Sequence, residues 1–205
     1  MRLIVSLCDV SGVFVEPWAA AGYECWIVDI QHYPGIGALR RGIRKVGADV
    51  LGFQLPKRDI AFVAAFPPCT DLAVSGARHF KRKGLDALID ALMVVNACRK
   101  LCEKSGAPWF IENPVSTIST YWRKPDYKFD PCEYAGYLAN PADEAYTKRT
   151  CLWTGGEFVM PEKHGTEPVG YNRTLSYSPS PRRAELRSVT PRGFSLAVFQ
   201  ANKGI

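Results

Sequence analysis

Two short segments hold the residue types from which catalysis could be built. Phe66-Pro67-Pro68-Cys69-Thr70 sets a thiol directly behind two prolines, whose rings fix the backbone that carries it. Glu112-Asn113-Pro114 ends an apolar run with a carboxylate. A thiol so placed is a candidate nucleophile once deprotonated, and a carboxylate one strand along is a candidate partner for moving protons. Most cysteines are small buried hydrophobes, and that reading is kept for Cys8, Cys25, Cys98, Cys102 and Cys151, whose neighbours are apolar or helical. The seven cysteines are odd in number and form no CxxC pair, which fits neither a disulfide framework nor a zinc site.

Both segments need strands that end where they begin. Asp59 to Phe66 is an apolar run leading straight into Pro67, and Pro108 to Glu112 is another leading into Asn113. Upstream, Leu3 to Leu7 and Cys25 to Ile30 read as buried strands, with a helix between them over Val15 to Gly22. The strongest helix pattern is Leu85 to Lys104, with an apolar face of Leu85, Leu88, Ile89 and Leu92 and cations near its C-terminal end. Strand and helix units in alternation predict an α/β, doubly wound, mostly parallel sheet that binds its ligands at the carboxyl ends of the strands. Past Thr120 the sequence turns aromatic and Pro-rich; Thr150 to Trp153 reads as a strand, Gly155 to Pro181 as loop, and the core thins. Thr190-Pro191 reads as the start of a last helix with Phe194, Val198 and Phe199 on its apolar face.

A chain of 205 residues fits one domain at roughly 150 residues per domain. With 47% hydrophobic and 22% charged residues it should fold, and no run is apolar enough for a membrane span or signal peptide, so a cytoplasmic setting is expected. The formal charge of +6 is concentrated in two places. From Tyr171 onward Arg173, Arg182, Arg183, Arg187, Arg192 and Lys203 face only Glu185, and Arg78, His79, Lys81, Arg82 and Lys83 cluster behind the thiol. Such clusters are the footprint of a polyanion, because each neutralised phosphate releases counterions.

Taken together, these motifs resemble the cytosine-5 DNA methyltransferase family. Pro67-Pro68-Cys69 is similar to the family's Pro-Pro-Cys nucleophile, Glu112-Asn113 to its Glu-Asn-Val motif, and Arg187-Ser188-Val189-Thr190-Pro191 to the Asn-Ser-Val-x-Pro segment that opens its last helix. The match runs in family order over nearly the whole chain. It implies a fold of the S-adenosyl-L-methionine-dependent methyltransferase type and one catalytic domain over 1–205, as in a compact, phage-like member from a bacterial or phage-infected cell. A reduced target-recognition segment would occupy 155–187, and 188–205 would return to the cofactor side as a helix. Few residues then remain for reading bases, with Lys163, His164, Tyr171, Asn172, Arg173 and Tyr177 as candidates, so a short recognition site is expected. The implied partner is duplex DNA, with no metal, no membrane and a monomeric enzyme.

The resemblance also assigns roles. Cys69 adds to C6 of a flipped cytosine, Glu112 relieves charge at N3, and Arg149, within Tyr146 to Gly155, holds the O2 edge. Arg78, Lys81, Arg82, Lys83 and Arg173 would contact DNA. S-adenosyl-L-methionine would lie against Cys8-Asp9-Val10-Ser11-Gly12, where the family has a loop richer in glycine, so Asp9, Ser11 and Gly12 are candidates. Asp29 would take the ribose hydroxyls, Asp49 the adenine amino group and Ile30 or Trp26 the ring face, with Pro67, Arg187, Ser188 and Val189 completing the cofactor set. Arg187 stands where the family has Asn. It would bind a phosphate or the cofactor's own carboxylate, or else pair with a carboxylate on the transferred carbon, so that carboxy-S-adenosyl-L-methionine would yield 5-carboxymethylcytosine. A cytosine in RNA or a free nucleotide, or binding without catalysis, are the other readings. Amino-directed methylation is disfavoured, since those enzymes carry an aromatic residue in place of the thiol.

Overall fold

The computed structural model describes residues 2–40, 42–169 and 189–204. Its strands are β1 (Leu3–Leu7), β2 (Glu24–Arg40), β3 (Ile43–Gly47), β4 (Ile60–Ala65), β5 (Trp109–Pro114), β6 (Tyr127–Phe129) and β7 (Thr150–Gly155). The α-helices are α1 (Glu16–Ala20), α2 (Phe80–Ser105), α3 (Ile118–Tyr121) and α4 (Arg192–Asn202). They build an α/β fold around one seven-stranded sheet in the order β3-β2-β1-β4-β5-β7-β6. The pairs β1/β2, β1/β4 and β4/β5 are parallel, while β7 runs antiparallel to both β5 and β6. The order reverses between β1 and β4, and that switch point opens a crevice at the strands' carboxyl ends.

Every residue of β1 (LIVSL) and β4 (IAFVAA) is buried, as expected for strands covered on both faces. Alternation then sorts the two layers. Leu3, Val5, Val63, Ala65 and Ile111 face α2, whose Val95, Cys98, Leu101 and Cys102 cover them. Ile4, Ile27, Phe62, Ala64 and Phe110 face Trp18 of α1 and Phe194, Ala197 and Val198 of α4.

Several elements depart from the sequence reading. Only part of the apolar face read on α2 packs: Leu88 and Leu92 lie half-buried against the core, whereas Leu85 is 69% and Ile89 44% exposed, and full burial starts at Val95. The core does not thin past Thr120, since Phe129, Tyr134 and Leu152 are fully buried and Phe129 stacks on Phe194 at 4.1 Å. The last helix begins at Arg192, and its cap comes from far upstream: Glu144 accepts from the backbone N–H groups of Arg192 and Gly193. A buried carboxylate at a helix N-terminus meets donors that the helix itself cannot satisfy.

β2 extends well beyond its expected end. Cys25 to Asp29 runs beside Ile43–Gly47 in parallel; the chain then crosses the end of β3 and returns, with Ile36 beside Val46, Ala38 beside Arg44 and Arg40 beside Ile43. The crossing needs glycine at position 47, where a Cβ would lie 1.9 Å from the Tyr33 carbonyl oxygen. Gly47→Ala should therefore lower stability by about 1–3 kcal/mol. A urea unfolding midpoint equal to that of the wild type would show that the return strand is not packed against Gly47.

Candidate active site

The thiol loop starts where β4 ends. Phe66 N–H still donates to Leu7 O at 2.9 Å, which holds the loop's first residue to the end of β1. Two prolines follow, and the Cys69 carbonyl then accepts from Leu72 N at 3.1 Å and Ala73 N at 2.8 Å, closing a turn that leaves Cys69 on the surface. The next residues pair with the chain leaving β5: Val74 N donates to Val115 O, Thr117 N donates to Leu72 O, and Ala73 bridges Ser116. Buried Asn113 closes the joint by donating its side-chain N–H to Pro67 O at 2.9 Å. The two segments singled out in the sequence are thus sewn together beside the switch point.

Among the described residues Cys69 is the one exposed cysteine. The Cys8 thiol lies 3.8 Å from that of Cys98, and this contact together with burial pushes its pKa up. Burial pushes Cys25 to about 12 and also raises Cys102, Cys132 and Cys151. Those thiols stay protonated at neutral pH and are poor nucleophiles.

Burial also raises the pKa of Glu112, and the nearby Lys148 opposes this in part. Lys148 was missed in the sequence, where Arg149 was expected to serve the site. The register explains the difference. Glu112 stands opposite Leu152, so Thr150 and, by alternation, Lys148 share its side of the sheet. Arg149 falls on the other side, where its guanidinium pairs with Asp130 at 3.0 Å.

Three acids mark the carboxyl ends of β1, of the first, parallel pass of β2 (Cys25 to Asp29) and of β3. Asp9 is absorbed by its own turn, taking Ser11 N at 3.0 Å and Gly12 N at 2.7 Å on one oxygen and Ser6 Oγ at 2.7 Å on the other. Ser11 and Gly12 are held by that staple, with Gly12 at φ 68°. The Asp9 carbonyl lies 3.1 Å from Nε2 of buried His32, a residue with no signal in the sequence, which braces the turn from the crossing segment of β2. Asp29 is 93% buried, the complement of its 7% exposure, and takes Gln31 N at 2.8 Å. Asp49 is exposed and takes Leu51 N at 2.9 Å. Ile30 lies beside Asp29 and is 71% exposed, whereas Trp26 sits near the start of β2 with its indole N–H on Glu24, away from the crevice.

On the opposite flank Arg78, Lys81 and Arg82 are exposed, but Lys83 is committed to Asp71 and to Thr70 O. Lys163 pairs with Glu133, and His164 packs on Tyr137. Val189 is partly exposed ahead of α4. Arg173, Arg187 and Ser188, with Tyr171, Asn172 and Tyr177, lie outside the described residues, as does most of 155–187. The portion up to Val169 contributes Phe158 and Met160 to the α4 layer.

No model of a known protein family matches this chain, and no curated protein is similar enough to be matched to it. Among the described residues no helix is long and apolar enough to cross a membrane, and no group of three His, Cys, Asp or Glu side chains could hold a metal ion.

The raised pKa of Glu112 has a sign that can be measured. Between its unfolded and folded values the native state holds the extra proton, so stability falls as pH rises through that window and stays lower above it. Glu112→Gln should be more stable than wild type at neutral pH, with the gap closing toward acid; a gap that does not change with pH would remove the burial cost from Glu112. Lys148→Met should move the Glu112 carboxyl titration further up in carbon NMR, and Arg149→Met should leave it in place. The reverse pattern would return the cation role to Arg149.

Proposed function

We propose that this chain is a DNA cytosine-5 methyltransferase that transfers a one-carbon group to C5 of a flipped cytosine through a covalent Cys69 adduct. The observation that carries the reading is the joint between the loops: the Asn113 bond to Pro67 and the pairing of 72–74 with 115–117 couple an exposed thiol to a half-buried carboxylate beside a sheet switch point. That coupling suits the chemistry. Cytosine C5 is a poor nucleophile until a thiolate adds to C6 and pushes electron density toward it. Negative charge then gathers over N3, and a carboxyl group whose proton is retained by burial can donate there. Lys148 lies on the Glu112 side of the sheet, where its charge opposes in part the rise that burial causes. Loss of the C5 proton afterwards expels Cys69.

S-adenosyl-L-methionine fits the residues at the ends of β1 to β3. Asp29, held where the parallel pass of β2 ends, suits a ribose diol; Asp49 suits an amino group, and Ile30 offers an apolar face to a ring. Bound there, the cofactor would supply an electrophilic methyl group. Asp9 serves this site as the brace of the turn rather than as a contact, and Ser11 and Gly12 present the turn's backbone.

C6 is shielded inside a duplex, so the base must leave the stack at a cost of about a few kcal/mol, offset by backbone contacts. Arg78, Lys81 and Arg82 are placed behind the nucleophile for phosphates. With Lys83 held by Asp71, three cations of the cluster remain for this task.

The deciding experiment uses duplex DNA containing 5-fluorocytosine together with the cofactor. Fluorine cannot depart as a proton does, so a protein–DNA adduct should accumulate, resolved by denaturing electrophoresis, and Cys69→Ser should abolish it. No adduct with wild type, or an adduct that survives Cys69→Ser, would overturn the proposal.

A further inference from the structure

Cys8 and Cys98 read in the sequence as small buried hydrophobes, and the fold sets them side by side. Cys8 follows β1 and is only half-buried; Cys98, 90 residues on, is fully buried on the side of α2 that covers β1. Their sulfurs lie 3.8 Å apart, within reach of an S–H···S hydrogen bond, and both are free thiols.

Cys8 also stands where a side chain is disfavoured. Its φ is 55°, in the left-handed region where a Cβ crowds the backbone and glycine is the usual occupant. Such an outlier persists only where its surroundings over-determine it, and the contact that Cys8 makes there is with the Cys98 thiol. A disulfide needs its sulfurs at about 2.05 Å, so an approach of about 1.8 Å closes the gap. Cys98 is fixed between helix and sheet. The half-buried Cys8 is therefore the member that can turn to meet it, and the member that solvent reaches.

We propose that Cys8 and Cys98 form an oxidation site, at which a peroxide converts the two thiols to a disulfide that ties the end of β1 to α2. The Cys8 thiol gives up its proton and its sulfur attacks one oxygen of hydrogen peroxide; the O–O bond breaks, hydroxide leaves and takes that proton as water, and Cys8 becomes a sulfenic acid. The Cys98 sulfur then attacks the Cys8 sulfur. An S–S bond forms, the S–O bond breaks, and hydroxide leaves with the Cys98 proton as a second water. Two thiols are thus oxidised to one disulfide while one peroxide is reduced to two waters. The second step is intramolecular and fast, because the resolving thiol is already in place.

The first step sets the pace. The contact with Cys98, burial and the charges of Asp29 and Asp49 hold the proton on Cys8, so closure is slow near neutral pH and quickens as pH rises. The site stands apart from the catalytic reading, and its readouts are mass and unfolding rather than turnover.

The test treats folded Cys69→Ser protein, which lacks the exposed thiol, with hydrogen peroxide. Thiols left free are alkylated in denaturant, and the chain is digested and analysed by mass spectrometry. A peptide pair joined through Cys8 and Cys98 should appear, lighter by two hydrogens than its parts, with Cys25, Cys102, Cys132 and Cys151 alkylated, and dithiothreitol should reverse it. Its rate of formation should rise by about tenfold per pH unit, since the thiolate is the reacting form. The bridge spans 90 residues, so the oxidised chain should unfold at a higher urea concentration than the reduced one. Cys98→Ala, which keeps a small apolar side chain in the core, should abolish the joined pair and leave a Cys8 sulfenic acid that dimedone captures. No joined pair, a bridge through Cys102 instead, a rate indifferent to pH, or a urea midpoint that does not rise would each overturn the proposal. The joined pair is read with both thiols in place, so it decides even if Cys98→Ala fails to fold.

Discussion

The site depends on the bond between the Asn113 side chain and the Pro67 carbonyl. That carbonyl lies past the last ladder bond of β4 and is followed by a proline with no N–H to offer, so the strands give it no regular partner. The Asn113 N–H is buried and needs an acceptor, since an unpaired buried donor costs about 1–3 kcal/mol. Each group therefore supplies what the other lacks. One polar contact thereby fixes the spacing of two loops that leave separate strands, and the strand-like pairing of 72–74 with 115–117 extends the restraint along both chains. Cys69 and Glu112 sit at either side of that seam, so their relative placement is set by backbone and amide geometry rather than by contact with each other.

The same fold is unevenly consolidated. Near its C-terminal end α2 is anchored by Cys98, Leu101 and Cys102 against β1 and β5, while its first turns bury nothing fully. The segment that borders Cys69 joins the body through buried Leu72, the Lys83–Asp71 pair and the pairing with 115–117, and no residue from Val74 to Val94 is fully buried. Few buried contacts and an exposed backbone place a segment at the low end of local stability. Under the proposed chemistry, a loop that admits a bulky base beside Cys69 gains from that, whereas Glu112 stays within the paired strand β5.

What was legible in the sequence follows from pattern strength. β1, β4 and β5 are short apolar runs, and Cys69 and Glu112 fall at the carboxyl ends of the neighbouring strands β4 and β5, as read. β3 (IRKVG) was not read because its charged positions interrupt the apolar run at a sheet margin, and the return of β2 was hidden by Pro34, Gly35 and Gly37, which ordinarily punctuate loops. Periodicity found the apolar stripe of α2 but could not say which of its residues the sheet covers: Leu88 and Leu92 pack on the core, and Leu85 and Ile89 stay exposed. Lys148 was lost to a shift of one residue, which in a strand exchanges one face for the other. Glu144 could not be found at all, since a cap supplied from 48 residues away leaves no local spacing to read.

Charge divides the crevice in a way that bears on the proposed chemistry. Asp9 and Asp49 follow β1 and β3 and Asp29 ends the parallel pass of β2, all on one side of the switch point, and Arg78, Lys81 and Arg82 lie behind Cys69 on the other. Asp9 spends its charge on its own turn, which leaves Asp29 and Asp49 to set the potential of the acidic edge. A phosphate backbone is steered away from that edge and toward the basic flank, while a sulfonium cation is favoured where the backbone is not. The two substrates of a methyl transfer have opposite charge, and Cys69 stands at the boundary between the regions that suit them. Sorting them by sign needs no dedicated gate; the strand order that places β1 beside β4 has already put the acids and the bases on opposite sides of the thiol.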